Sequence, residues 1–155
     1  LSVYSDYNNG NQPAGNVETL VFQEQFNNID AGDVGTTWNW TFDTKAGNIT
    51  GASTAYAFIK LLDPNNGFSQ DYFTSVATGL NANWQTDTLS IAIDGTMTGK
   101  ILQYGFGTIA TNYEGSGVFY DNLNFATASA VPVPAAAWLF GSALAGLAAY
   151  RKKAQ

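Results

Sequence analysis

The sequence has no cysteine and no histidine among its 155 residues, and basic residues are scarce. Without Cys and His the chain cannot form disulfides, thiol nucleophiles, His-based proton relays or zinc sites of the usual ligand type. Residues 1–150 hold all twelve acids but only three bases, a net charge of −9, while Arg151, Lys152 and Lys153 lie at the end of the chain. Because this body would repel phosphates and has no basic surface, nucleic acid is excluded as a partner.

The overall composition is typical of an exported, β-rich protein. Charged residues make up 12% of the chain, against roughly 25% in an average globular protein. Aromatic residues reach 14%, which indicates an ordered chain rather than a disordered one. Residue 1 is Leu rather than Met, so the chain is either processed or truncated, and we expect that a signal peptide has been removed.

Short segments in which polar and apolar residues alternate run through residues 18–126. They are rich in β-branched and aromatic residues and are separated by turn residues, which predicts strands at 18–26, 37–43, 54–62, 71–78, 86–94, 100–110 and 116–126. Seven or eight strands at roughly even spacing predict a mainly β fold, an antiparallel β-sandwich of jelly-roll type. Residues 1–17 are rich in Asn and Gly and predict a polar N-terminal arm.

The C-terminal residues differ in character from the body. Residues 127–134 predict a Pro-containing linker, residues 135–150 an uncharged hydrophobic α-helix, and residues 151–155 a basic tail. The 20 residues from Val131 to Tyr150 match the roughly 20 that span a bilayer, with the basic end in the cytoplasm. The alternative is a buried helix of a soluble core. Small residues that would let such helices pack closely are Gly141, Ser142, Ala145, Gly146 and Ala149.

This C-terminal pattern resembles the PEP-CTERM sorting signal of Gram-negative bacteria. A Pro-containing motif, an apolar segment reading Trp-Leu-Phe-Gly-Ser, and a basic end occur in that order. The resemblance implies export, handling by an exosortase, and a place at the cell surface or in the extracellular matrix. The motif lacks the Glu of the family pattern, which leaves cleavage open; an uncut helix would bind the membrane or drive homo-oligomer or polymer formation. The residues that carry the resemblance are Val131, Pro132, Val133, Pro134, Trp138, Arg151, Lys152 and Lys153.

Two carboxylates lie on apolar faces of predicted strands. Glu24 alternates with apolar residues in the first predicted strand, and Asp121 does so in the last. A buried carboxylate needs a partner, and Ca²⁺, which binds carboxylate and amide oxygens, is one solution. The alternatives are hydrogen bonds from backbone or Tyr groups, or an ion pair with Lys45.

The segment 116–125, Ser-Gly-Val-Phe-Tyr-Asp-Asn-Leu-Asn-Phe, resembles the last strand of carbohydrate-binding-module-like jelly rolls. Residues 22–26, Phe-Gln-Glu-Gln-Phe, are placed like the first strand of that family. The resemblance implies a structural calcium ion as the single candidate cofactor. Its ligands would be Glu24 and Asp121, with Asn122 or Asp43 as further candidates.

Aromatic residues form a second candidate site. Trp38, Trp40 and Phe42 share one strand face, and aromatic rings with nearby amides and carboxylates are what a sugar-binding face requires. The candidate carbohydrate-binding residues are Trp38, Trp40, Trp84 and Tyr113. The alternative is that aromatic side chains fill the core of the sandwich, and this we expect for Phe22, Phe58, Phe106, Phe119 and Phe125.

These features predict a non-enzymatic, exported surface or matrix structural protein, anchored and self-assembled through its C-terminal helix. The alternative is a surface-displayed module that binds a polysaccharide. A small carboxylate-dependent glycoside hydrolase is a third hypothesis, but no motif selects a catalytic pair among the twelve acids. We therefore expect no enzymatic activity.

Overall fold

Eight strands form two antiparallel four-stranded sheets in the computed structural model, which describes residues 1–5, 16–111 and 114–128. The first sheet has the strand order β1-β8-β3-β6 and the second β2-β7-β4-β5. All connections but β4–β5 cross from one sheet to the other, so the described chain is a mainly β sandwich as predicted. The strands are Ser2–Ser5 (β1), Val17–Glu24 (β2), Thr37–Ile49 (β3), Thr54–Asp63 (β4), Ser69–Ala77 (β5), Gln85–Ala92 (β6), Ile101–Ala110 (β7) and Ser116–Thr127 (β8).

All seven predicted strands are confirmed to within a few residues, except that β3 continues to Ile49. The prediction of a polar arm over residues 1–17 is wrong at its start, because β1 pairs antiparallel with the first residues of β8. Val3 and Ser5 point inward and are buried. A four-residue strand with one apolar residue in the core is too short for its alternation to stand out in the sequence.

Several predicted segments lie outside the described residues. These are residues 6–15 of the arm, Tyr113, the linker beyond residue 128, the hydrophobic helix 135–150 and the basic tail 151–155. The sorting-signal residues and the small helix-packing residues from Gly141 to Ala149 lie there too. Within the described ranges the helices are two single turns, Pro64–Asn66 and Gly95–Met97, and none of them is long and apolar enough to cross a membrane.

The core between the sheets is built largely from aromatic rings. Phe42 is fully buried, and its ring meets those of Trp40 and Phe106 at 5.5 and 5.1 Å between centroids. Tyr120 stacks on Phe106 at 3.7 Å, and its hydroxyl shares a 2.7 Å hydrogen bond with Thr78 Oγ1. Burial raises the pKa of Tyr120 to about 12, since the phenolate would lose its solvation.

A bulge in β8 changes which of its side chains face the core. Thr41 pairs with Asn124 but Asp43 pairs with Asp121, so β8 has one residue more than β3 in this stretch. Asn122 lies in the bulge with a φ of 50°. Because the bulge reverses the alternation, Phe125 points inward whereas Phe119 is 45% exposed on the outer side. The expectation that Phe119 belongs to the core is therefore wrong.

Candidate functional site

Four aromatic side chains lie together on the outer side of the second sheet. We call this surface, formed by Phe22, Tyr56, Phe58 and Phe73, the aromatic face. In β4 the odd-numbered residues point into the core, so Tyr56 and Phe58 point outward. The Phe58 and Phe73 rings stack at 6.1 Å with 18° between their planes, and Tyr56 meets Phe73 at 6.3 Å.

Two glycines of β7 form the floor of the aromatic face between β2 and β4. Gly107 lies opposite Leu20 and Tyr56, and Gly105 lies opposite Phe22 and Phe58. A Cβ at Gly107 would lie 2.3 Å from Cζ of Tyr56, and one at Gly105 would lie 2.1 Å from the carbonyl oxygen of Val21. Glycine at 107 therefore leaves room for the Tyr56 ring over β7, and glycine at 105 allows the close approach of the β2 backbone.

Polar groups border the aromatic rings. The Tyr56 hydroxyl donates a hydrogen bond to Glu18 Oε1, and Lys60 Nζ lies 5.3 Å from the Phe22 ring centroid and 5.4 Å from that of Phe58. Partial burial, followed by the bond to Glu18, raises the pKa of Tyr56. With Gln70, these groups surround an open cavity of about 280 Å³. The site offers flat apolar surface, a cation, and hydrogen-bonding side chains together.

Glu24, predicted as a calcium ligand, lies two residues after Phe22 in β2 and faces the same side of the sheet. It is exposed, and its Oε2 accepts a 2.7 Å hydrogen bond from Gln103 Nε2. Gln103 is buried, and its Oε1 has no partner in the part of the chain that the structure describes. The premise that Glu24 is buried on an apolar face is wrong because β2 is an edge strand whose outer side is open.

The other three candidate calcium ligands come together on the outer side of the first sheet. Asp43 and Asp121 are register partners, and Asn122 Nδ2 donates to Asp43 Oδ2 at 2.6 Å. Hydrogen bonds from Thr86 and then Asn122 hold the pKa of Asp43 below its usual value. The bulge places Asp121 on the exposed side, so its predicted burial is wrong. No group of three or more Asp, Glu, His or Cys side chains suited to a metal occurs within the described ranges; calcium stays a prediction.

The predicted carbohydrate-binding aromatics lie elsewhere. Trp40 is only 4% exposed and belongs to the core, so its assignment to a sugar-binding surface is wrong. Trp38 is half-buried and stacks on Phe125 at 5.3 Å, lining a separate cavity of about 200 Å³ with Phe26 and Asp33. Trp84 is exposed in the loop before β6. None of the three lines the aromatic face, and Tyr113 lies outside the described residues.

Alternation within β4 already indicates that Tyr56 and Phe58 share a face, but not that this face is outside. The expectation that Phe22 belongs to the core is wrong, because its side chain is 49% exposed. Phe58 is buried as expected, but it lies on the outer side of the sheet, beneath neighbouring side chains, rather than between the sheets. The available signal was the pair of glycines in β7. Because these two outward-facing positions of β7 carry no side chain, aromatic rings from the neighbouring strands β2 and β4 have space above them.

Comparison with solved structures finds β-sandwich proteins at low sequence identity. A family 4 carbohydrate-binding module is 18% identical over 69% of this chain and 61% of its own, with a TM-score of 0.42. Carbohydrate-binding modules of promiscuous specificity from the β-sandwich superfamily are 15% identical over 81% of this chain and 56% of their own, with a TM-score of 0.46. A cyclase from Fischerella sp. TAU in complex with 4-(1H-indol-3-yl)butan-2-one is 17% identical over 72% of this chain and 57% of its own, with a TM-score of 0.45. The chain thus spans less than two thirds of each of these proteins. No family model and no curated protein matches it.

Proposed function

We propose that this chain is a non-enzymatic carbohydrate-binding module displayed at the bacterial cell surface, and that the aromatic face binds the glycan. The observation that carries this proposal is the set of outward-facing rings on the glycine floor of β7. Phe22 and Phe73 are about half exposed. The Phe73 ring packs against those of Tyr56 and Phe58, and Lys60 Nζ lies 5.3 Å from the Phe22 ring centroid and 5.4 Å from that of Phe58. A contiguous apolar surface of this kind on the outside of a folded domain is typical of a binding site.

The chemistry of the aromatic face suits a polysaccharide. Sugar rings have apolar faces that pack on aromatic rings, and hydroxyl groups around their edges that need hydrogen-bond partners. Glu18 and Gln70 supply acceptors at the rim, and Lys60 and Gln70 supply donors. Because the cavity is open, a chain of sugars would lie across it without having to enter an enclosed pocket.

The C-terminal residues 131–153 complete the proposal. Their resemblance to a PEP-CTERM signal supports export, recognition by an exosortase-type enzyme, and retention at the membrane or in the matrix. Glycan binding gives the matrix role predicted from the sequence a chemical basis, because it would attach the body of the protein to the polysaccharide around it. Self-association through uncut helices would add multivalency to that attachment.

Affinity electrophoresis against a panel of soluble bacterial and plant polysaccharides tests the proposal. Phe73 and Phe119 are each 45% exposed, but Phe73 lies on the aromatic face and Phe119 on the outer side of the other sheet. Phe73→Ala should lower the affinity for the polysaccharide, measured from the retardation, about tenfold, as expected for a stacking residue. Phe119→Ala should leave this affinity unchanged.

Three results would contradict the proposal. The first is that no polysaccharide retards the protein, and the second is equal loss of binding in the Phe73 and Phe119 variants. The third is release of reducing ends from the bound polysaccharide, which would favour the glycoside hydrolase hypothesis instead.

A further inference from the structure

Two oppositely charged side chains lie towards opposite ends of the aromatic face. Lys60 and Glu18 both line its cavity. In β7, Lys60 is opposite Gln103 and Glu18 is opposite Ile109, six residues further along. At about 3.3 Å per residue, their backbone positions are roughly 20 Å apart along the sheet. The cavity therefore carries no net charge, but its positive and its negative group are separated along the strands.

Lys60 has no acidic partner, although acids outnumber bases by twelve to three in residues 1–150. Within the described ranges the ion pairs are those that Lys100 makes with Asp63 and Asp71, and Lys60 forms none there. Its ammonium group lies over the rings of Phe22 and Phe58 instead. A sugar stacked on these rings would place its substituents beside a partly buried cation, where an anionic group is attracted more strongly than in bulk water.

Glu18 gives the other end of the cavity the opposite preference. Its Oε1 accepts a hydrogen bond from the Tyr56 hydroxyl. Because burial and Glu18 raise the pKa of Tyr56, this hydroxyl keeps its proton and remains a donor at neutral pH. A carboxylate accepts hydrogen bonds from the hydroxyl groups of a neutral sugar but repels a second anion.

We infer that the aromatic face selects a polysaccharide in which anionic sugars are interspersed with neutral ones, with an anionic group at Lys60 and a neutral sugar at Glu18. This inference rests on the proposed function and names its substrate class. A neutral polymer leaves Lys60 without a partner, and a polymer charged on every sugar places an anion against Glu18. The net charge of −9 on residues 1–150 also opposes a fully charged polymer. Lys60 acts locally, because screening limits such forces to about 8 Å at physiological ionic strength.

Two graded series of polymers test this selection and distinguish carboxylates from sulfate esters. The first is pectin with none, about half or all of its carboxylates methyl-esterified, and the second is mixed-linkage β-glucan with no, sparse or dense sulfation. In affinity electrophoresis of the full chain, the intermediate member of at least one series should bind about two- to fivefold more tightly than both end members. That range is expected for one partly exposed ion pair.

Three charge-neutralising variants assign the selection to its residues. Lys60→Gln should move the optimum to the uncharged member of the series. Glu18→Gln keeps an acceptor for Tyr56 but loses the charge, so the optimum should move to the fully charged member. Lys45→Gln removes the same charge as Lys60→Gln from the other sheet, where Lys45 is opposite Phe119, and should leave the optimum in place. In 1 M salt, where screening reaches roughly 3 Å, the preference of the wild type should disappear while the uncharged member still binds.

The results that would overturn the inference differ from those that would overturn the proposed function. Affinity that is independent of charge, or highest for an end member in the wild type, would refute the inference and leave glycan binding intact. So would equal effects of Lys60→Gln and Lys45→Gln, or binding to other polysaccharides of the panel but to neither series. Failure of every polysaccharide to retard the protein would refute both.

Discussion

Substitution of Gly107 should change glycan binding by the aromatic face while leaving the free energy of unfolding nearly unchanged. The Cβ of an alanine there would lie 2.3 Å from Cζ and 2.6 Å from Oη of Tyr56, which are the far end of a flexible side chain. Gly107→Ala should therefore displace the Tyr56 ring and break its hydrogen bond to Glu18, while β7 keeps its pairing with β2 and β4. At Gly105 the same Cβ meets backbone atoms of β2 instead, 2.1 Å from the Val21 oxygen.

The two substitutions should differ in magnitude as well as in kind. In Gly107→Ala the gain from replacing glycine within a strand, roughly 0.5–1 kcal/mol, offsets a lost hydrogen bond of roughly 0.5–1.5 kcal/mol. The free energy of unfolding should thus stay within about 1 kcal/mol of the wild type. Gly105→Ala must shift the β2 backbone and should cost about 1–3 kcal/mol, as for other overpacked sites.

Urea unfolding and polysaccharide affinity, measured on the same preparations, check both expectations. Gly107→Ala should lower affinity about three- to tenfold, since a displaced ring forfeits roughly 0.5–1.5 kcal/mol of aromatic contact. Unchanged affinity in a well-folded Gly107 variant would refute the role of Tyr56 in the aromatic face. A loss of stability as large as that of Gly105→Ala would refute the claim that only a side chain has to move.

Three further predictions concern the fold. Phe42→Ala should lower the free energy of unfolding by about 3–5 kcal/mol in urea titrations, because the fully buried ring touches both sheets; a cost below about 2 kcal/mol would show that the core collapses onto the site. Tyr120→Phe should cost about 1 kcal/mol at pH 7, through the lost bond to Thr78. The pKa of Tyr120 is about 12 in the folded state and 10.0 in the unfolded state, so the wild-type free energy of unfolding is complete below pH 10 and falls by about 2–3 kcal/mol towards pH 12. At pH 12 the Tyr120→Phe variant should therefore be more stable than the wild type, and a wild type that is still the more stable of the two would contradict this. Phe68→Gly should raise stability by up to about 1 kcal/mol in thermal unfolding, since Phe68 is exposed at a φ of 60°; a clear loss would mean that its ring stabilises the loop.

The strands were predictable because burial on one side imposes a period of two on the sequence. That rule locates strands but fixes their orientation only while the alternation is unbroken. In β8 the bulge at Asn122 breaks it, so that Phe119 and Phe125 share a parity but lie on opposite sides of the sheet. Asn tolerates a positive φ better than most residues, yet Asn is common throughout this chain, and the bulge could not be singled out.

The aromatic face was harder to predict, because the alternation does not distinguish an aromatic ring in the core from one on the outer surface. Trp40 and Phe58 are both buried, but Trp40 lies between the sheets and Phe58 lies on the outer side beneath Phe73. Which side of a strand faces the core depends on how the strands pair across the sheet. For β4 that information is supplied by β7, where Phe106 alternates with two glycines.

Exposure by itself does not distinguish a binding surface from an incidental apolar residue. Phe73 and Phe119 have the same fractional exposure, yet their surroundings differ. Phe73 has two aromatic neighbours, Tyr56 and Phe58, and shares its cavity with Lys60, while Phe119 lies opposite Lys45 and Ser2 in neighbouring strands. A sugar needs several rings and polar groups at once, because a single stacking contact contributes too little to overcome the cost of association. The density of partners around Phe73, rather than its exposure, is what makes the second sheet the candidate binding surface.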